Sequence, residues 1–186
     1  STLSDGASHG GQRMIRISNN WPYGSSLWPT TLGSSGGHND AGGGYPSGAG
    51  GGSIKIITNN LTLNGAIDAN GGNAHPSASA SGGAGGSILV ITNMIEGSGS
   101  FSARGGTRGG GETNENSDGG GGRIAVYYNS STFTGIPLSS VAGGSYGGTV
   151  YGQSGTAIFV DADHNNALTV GGFRFQALCN ASKPWE

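Results

Sequence analysis

The stretch GGSIKIITNNLTLNGAIDANGG at residues 51–72 returns as GGSILVITNMIEGSGSFSARGG at residues 85–106, with 11 of 22 positions identical and no gap. The offset between these copies is 34 residues, and a third copy, GGRIAVYYNSSTFTG, begins at Gly121, 36 residues after the second. All three share the frame GG-x-I-x-[IV]-x-x-N-x5-G. Self-similarity at such a period indicates units that are too small to bury a face alone and gain a core by stacking on their neighbours.

Apolar residues alternate within each unit, as in Ile54 and Ile56 and again in Leu61 and Leu63. A period of two predicts β-strands, and turn signals such as Asn64-Gly65 separate the strands. No apolar stripe of helical period interrupts the pattern. We therefore predict an all-β fold, a right-handed parallel β-solenoid whose hand follows from the crossover rule for parallel strands.

The whole chain, residues 1–186, is predicted to be one domain, with repeat units at about 48–72, 82–106 and 119–135. The apolar positions shared by the units form the expected core ladder, which consists of Ile54, Ile56, Ile88, Val90, Ile124 and Val126. Two further β-rich runs lie within residues 157–178. They could close the solenoid, or add as strands to the exposed edge of the next subunit.

Glycine supplies 41 of the 186 residues, much of it in runs between the units, such as residues 35–52 and 108–122. Two explanations stay open. The runs could be flexible excursions like a Gly/Ser linker. Alternatively, they could be ordered polyglycine segments in the extended left-handed conformation, packed side by side because missing side chains let backbones approach and hydrogen-bond.

Charge and cysteine content exclude several classes of protein. Charged residues make up only 10% of the chain, so charge-rich disorder is excluded, and a net charge of −2 with scattered basic residues argues against a nucleic-acid partner. No apolar run approaches the ~20 residues of a membrane-spanning helix. Cys179 is the only cysteine, which excludes an internal disulfide.

The ordered series GAGGGSIKIITNN, GGAGGSILVITN and GGGGRIAVYYN resembles glycine-rich repeat regions of very large secreted and cell-surface proteins of bacteria and some protists. The resemblance covers about residues 1–151, and the last 35 residues lie outside it. It implies a β-solenoid stalk or surface module. It carries no catalytic residue set to positions of this chain.

One weak metal candidate is present. Asp161, Asp163 and Asn165 alternate oxygen-bearing side chains as the start of a calcium loop does. The sixth position is Asn166 instead of glycine and the twelfth is Gly172 instead of glutamate, so an EF-hand is excluded. A polar hairpin tip explains the same residues as well, and a solvated loop suffices for the acidic cluster at 112–118.

Two other kinds of binding position stand out. Asn60, Asn129 and Asn180 begin N-glycosylation sequons, the first two placed just after predicted strands, although three sequons is about the number expected by chance from this composition. Trp21, Tyr23 and Trp28 form an aromatic cluster. Such residues can stack on sugars, or can cap the end of a solenoid, and we favour the cap.

Catalytic signals are weak. Asp68 has no acidic counterpart in the second unit, so we interpret it as a turn residue, and no carboxylate pair suggests glycoside hydrolysis. The four histidines lack zinc-ligand spacing and are expected to be solvated loop residues; they are His9, His38, His75 and His164. We assign no catalytic residue, no enzymatic activity and no required cofactor.

The sequence therefore favours a structural glycoprotein module outside the cell or on its surface, with self-association into a filament or matrix. An adhesin or carbohydrate-binding module, like a phage-fibre tip, is the alternative, with glycans as partners. A polysaccharide-active enzyme is the least favoured of the three.

Overall fold

The computed structural model describes residues 7–12, 21–37, 45–76, 80–110, 117–147, 149–150, 152–163, 167–170 and 173–176. Its strands are β1 (Ser53–Thr62), β2 (Ala66–Asp68), β3 (Ser87–Glu96), β4 (Ser100–Ser102), β5 (Arg123–Tyr128), β6 (Ser130–Ser131), β7 (Ser145–Tyr146), β8 (Thr149–Val150), β9 (Thr156–Asp161), β10 (Ala167–Val170) and β11 (Phe173–Gln176). The only helical element in these ranges is a 3₁₀ turn, Ile136–Leu138. The prediction of an all-β fold is confirmed.

The main sheet has the strand order β1-β3-β5-β9-β10-β11, and its first four strands are parallel. Ser53 pairs with Ser87, and Ser87 with Arg123, so the register equals the offsets of 34 and 36 between the sequence repeats. The small parallel sheet β2-β4 obeys the same rule, with Ile67 beside Phe101. Positions that align in the sequence are therefore neighbours in space.

The hydrophobic core joins the two sheets in one cluster. Phe101 of β4 lies with its ring centroid 5.7 Å from that of Phe133 and 6.1 Å from that of Phe159 in β9. All six residues of the expected core ladder belong to this cluster. Those of β3 and β5 are fully buried, whereas Ile54 and Ile56 of β1 are only half-buried.

In the first two repeats the inward-facing side chains change from even to odd positions at the asparagine of the shared frame, and we call this point the corner of the repeat. Along β1 the half-buried positions shift from even to odd numbers between Thr58 and Leu61, so that side chains of both parts of the strand face the core. At the equivalent corner, Asn129 donates its backbone N–H to the carbonyl of Asn93 (3.1 Å) and its Nδ2 to Asn93 Oδ1 (2.8 Å). The shared asparagine thus joins the second and third repeats through its side-chain amide.

The glycine-rich segments pack beside the sheets. The central segment, residues 80–86, exchanges backbone hydrogen bonds with five neighbours, which are residues 31–37, 46–52, 69–74, 103–110 and 117–122. Gly83, for example, donates to the Gly72 carbonyl (3.0 Å) and accepts from the Gly106 N–H (2.8 Å). A Cβ at Gly83 would collide with the carbonyl of Ala49, so this approach requires glycine. In the described segments this finding favours the ordered explanation of the glycine runs.

The outer face of the main sheet carries a second, smaller cluster, formed by Leu89, Ala125, Tyr127, Ile158 and Val160.

At the far side of the sheet, the last two strands run in the opposite direction to the strand before each of them. There β10 pairs antiparallel with β9, and β11 pairs antiparallel with β10. The described C-terminal strands thus extend the sheet of their own chain.

Candidate functional site

The aromatic segment, residues 21–32, lies across the outer face of the main sheet. Tyr127 of β5 donates its hydroxyl to the Leu27 carbonyl, Ser87 of β3 donates to the Thr31 carbonyl (2.6 Å), and Ser53 of β1 donates to the Thr30 carbonyl (3.0 Å). These anchors span three strands. The segment therefore shields a sheet face, where the cap interpretation had placed it at an end of the stack.

The three aromatic residues predicted as ligand contacts differ in accessibility. Trp21 is 70% exposed, and Trp28 is 43% exposed with the Lys55 ammonium 5.4 Å from its ring centroid. Tyr23 is 38% exposed and donates its hydroxyl to the Leu32 carbonyl (2.6 Å). Two indole rings and one ammonium are thus available to a ligand, while the phenol is engaged internally. Ligand binding at these residues stays a prediction.

His9 is fully buried, so the expectation of a solvated loop histidine is wrong at this position. Its Nδ1 lies 2.8 Å from the Gly85 carbonyl and its Nε2 lies 2.8 Å from Thr31 Oγ1, with the Tyr23 ring 4.9 Å away between centroids. The residue therefore joins the central glycine segment to the aromatic segment. Nothing in its sequence context, ASHGGQ, signals this role.

Burial lowers the pKa of His9 below its usual 6.5, the hydrogen bond that His9 Nδ1 donates to the Gly85 carbonyl opposes that shift, and the charge of Arg123 lowers the pKa further. Arg123 is itself nearly buried, donates from Nε to the Tyr23 carbonyl (3.0 Å), and donates from its terminal guanidinium nitrogen to Thr156 Oγ1 (2.8 Å). His9 and Arg123 thus both hydrogen-bond to residues 21–32, His9 through Thr31 Oγ1 and Arg123 through the Tyr23 carbonyl.

The outer edge of β1 is a second candidate surface. β1 is the terminal strand of the main sheet among the described residues, and it is ten residues long. Its inward side chains are half-buried, and Ile57 on the other face is 67% exposed. A long apolar strand with an open edge is a template for pairing with another chain.

The calcium candidate is only partly described. Asp161 ends β9 and is half-buried, Asp163 is exposed two residues later, and Asn165 lies outside the described residues. Within the ranges the structure covers, no group of three or more His, Cys, Asp or Glu side chains could hold a metal ion. Of the acidic cluster, Asp118 is fully buried and its Oδ1 accepts from the Arg108 N–H (2.8 Å). Calcium binding stays a prediction.

The sequons differ in their surroundings. Asn60 lies inside β1, at the corner and not after the strand as expected, and it is exposed. Asn129 is half-buried, and its Nδ2, the atom that would carry a glycan, donates to Asn93. Asn180 lies outside the described residues, as do Cys179, His38 and His164. Of the two described sequons, Asn60 is the more accessible acceptor.

Polar groups that could serve catalysis are dispersed in the described ranges. Asp68 is the exposed last residue of β2, where a turn residue was expected. His75 is exposed and stacks on Tyr45, with ring centroids 4.5 Å apart. Glu96 accepts from the Thr62 hydroxyl (2.6 Å) across the β1–β3 ladder. The Thr62–Glu96 hydrogen bond joins the first and second repeats.

No protein-family model, curated protein or solved structure matches the chain. In the part of the chain that the structure describes, no helix has the length and apolar character to cross a bilayer.

Proposed function

We propose that the chain is a structural module of an extracellular or cell-surface assembly. Its repeats form a right-handed parallel β-solenoid, flanked by glycine segments in the left-handed polyglycine conformation. Equivalent positions of the shared frame pair at both β1–β3 and β3–β5, which supports the solenoid because each repeat then advances by one strand in the same direction. The hand follows from the crossover rule.

One observation carries the proposal: the segment 80–86 is hydrogen-bonded to five neighbouring segments at once. A strand in a sheet has at most two such neighbours, so this layer is cross-linked in more directions than a sheet is. Bonds of this density resist bending about several axes. A scaffold that presents or connects other parts of a surface assembly requires that property.

Negative-stain electron microscopy of the purified chain, with and without calcium, tests the function. Regular filaments are the expected result, because a module of this kind is proposed to self-associate. The variant Ile88→Asp serves as a control, since a chain that cannot fold should form no regular assembly. Discrete particles of one size in both conditions would contradict self-assembly.

The exposed indole rings of Trp21 and Trp28 favour a second candidate, a glycan-binding adhesin module. Flat aromatic faces stack on sugar rings, and the Lys55 ammonium beside Trp28 can donate hydrogen bonds to sugar hydroxyls. Glycan-array binding that is lost in Trp21→Ala or Trp28→Ala would support this function. Tyr45→Ala is the matched control, because Tyr45 is comparably exposed and lies outside residues 21–32.

A further inference from the structure

We propose that the open edge of β1 is the acceptor end of a head-to-tail joint and that its occupant is a second copy of this chain, pairing through β11. The inference rests on the proposed structural function and names the surface through which the copies join. Four features support it: the glycines, the backbone donors and the apolar side chains of the first repeat, and the direction of β11.

The glycines come first. A Cβ at Gly86 would collide with the Gly52 carbonyl, and a Cβ at Gly122 would collide with that of Gly86. Gly52, Gly86 and Gly122 form a row of equivalent positions. At Gly86 and Gly122 glycine is required because the backbone of the preceding repeat lies against it. At Gly52 itself, the first of the row, a Cβ would meet no described atom within 4 Å.

A second row behaves in the same way. Gly99 lies against the Gly65 carbonyl, and Gly135 lies against the Gly99 carbonyl, whereas a Cβ at Gly65 would meet no described atom within 4 Å. Neither Gly52 nor Gly65 has a positive φ that would explain glycine by conformation. A preceding layer of backbone would explain both.

The backbone donors repeat with the same period. Gly86 donates its N–H to the Ala69 carbonyl (2.7 Å), and Gly122 donates to the Ala103 carbonyl (2.7 Å). In each case the acceptor belongs to the preceding repeat. Gly52, the equivalent residue of the first repeat, has no corresponding acceptor among the described residues. An incoming layer would supply one.

The apolar side chains complete the surface. Ile88 and Val90 are fully buried between neighbouring repeats, while their register partners Ile54 and Ile56 remain half-buried. A strand paired to the free edge of β1 would bury the remaining area of both isoleucines. Burial of apolar surface at about 25 cal/mol per Å² favours such pairing.

The opposite end of the same sheet offers a matching strand. Because β11 is antiparallel to β10, and β10 is antiparallel to β9, β11 runs in the same direction as β1. Gly171-Gly172 immediately precede β11, as Gly51-Gly52 precede β1. A copy docked by β11 would therefore keep the parallel direction and the double-glycine lead of the internal β1–β3 and β3–β5 junctions. Contacts of this heterologous kind extend into open assemblies.

The double variant Gly52→Ala/Gly65→Ala tests the joint. In a single chain its two methyl groups would meet no described atom within 4 Å, so circular dichroism and thermal unfolding should match the wild type. In the joint they would collide with the incoming backbone. Sedimentation velocity over a hundredfold concentration range should show growing oligomers for the wild type and for a Ser98→Ala control, and monomer for the double variant.

The other possible outcomes distinguish failure of the proposed joint from failure of the proposed structural function. If the folded double variant assembles as the wild type does, the β1 edge is not the joint, and the inference fails while the structural function stands. If the wild type remains monomeric throughout, self-assembly fails and the joint fails with it. If the double variant is unfolded, the two positions are not open in the single chain, which also overturns the inference.

Discussion

The carbonyl group of Gly52 occupies the place where a side chain at Gly86, one repeat later, would begin. This relationship recurs between Gly86 and Gly122, and it explains the second glycine of the pair that opens the second and third repeats. Backbone in one layer lies directly on backbone in the next, at a distance that excludes even a methyl group.

The variant Gly86→Ala should be destabilised by about 1–3 kcal/mol, because the added methyl group must displace the backbone of the preceding repeat. Gly52→Ala is the matched control. Its unfolding free energy should equal that of the wild type or exceed it by less than about 1 kcal/mol, since alanine restricts the unfolded chain. Urea denaturation of both variants measures the difference. Equal stabilities would contradict the packing of the glycine layer.

Ile88→Asp should abolish folding, because it places an unpaired carboxylate in the fully buried core between β1 and β5. Ile57→Asp is the matched control at an exposed position of the neighbouring strand and should change stability by about 1 kcal/mol or less. Circular dichroism and the dispersion of amide NMR signals distinguish the two results. A folded Ile88→Asp protein would refute the alignment of the repeats.

Stability should fall as the pH drops below about 6.5 because of His9. Burial depresses its folded-state pKa, so the unfolded chain binds the proton first and protonation favours unfolding. The contribution is complete above pH 6.5, the usual value in the unfolded chain, and is lost progressively as the pH falls toward the lower folded pKa.

Thermal unfolding at pH 8, 7, 6 and 5 measures this dependence. His9→Gln should unfold at a lower temperature at pH 8 but lose less stability between pH 8 and 5, since its amide does not titrate. The charged and titratable neighbours Arg123 and Tyr23 remain in both proteins, and so does the exposed His75. Parallel profiles for the two proteins would show that His9 does not titrate on unfolding.

Asn93→Ala should lower the unfolding free energy by about 1 kcal/mol, because the side chain of Asn93 accepts the amide of Asn129 at the corner between repeats. Asn59→Ala, at the same corner of the first repeat, is the control and should have a smaller effect, since no side-chain hydrogen bond of Asn59 is found among the described residues, although both asparagines are exposed. Chemical denaturation compares them. An equal or larger effect at Asn59 would show that the Asn93–Asn129 hydrogen bond does not stabilise the fold.

The parallel pairing of β1, β3 and β5 was predictable because the offsets of 34 and 36 appear directly in the printed chain. So was the core ladder, since alternation assigns Ile88 and Val90 to one face whatever the neighbours are. The corner at Asn59 and Asn60 was not predicted, because a shift of inward positions within one strand leaves the local pattern consistent with two strands and a turn.

The candidate surfaces were less predictable. The exposure of Trp21 and Trp28 and the burial of His9 depend on residues about a hundred positions away, notably the Tyr127 hydroxyl and the Arg123 guanidinium. No local pattern reports such contacts. Arg123 also stands where the first two repeats have serine. The reason for this difference, a hydrogen bond to the Tyr23 carbonyl, is visible only in the tertiary structure.

The amino-acid sequence by itself determined that the chain is all-β and repetitive and which residues align between repeats, because period-two alternation and a fixed offset are properties of the chain alone. Only the tertiary structure decided that the described glycine segments are packed, that His9 is buried, and that a Cβ at Gly52 or Gly65 would meet no described atom within 4 Å. Glycine has no side chain to reveal its environment in a sequence. Its neighbours become known only when the backbones that approach it are in place.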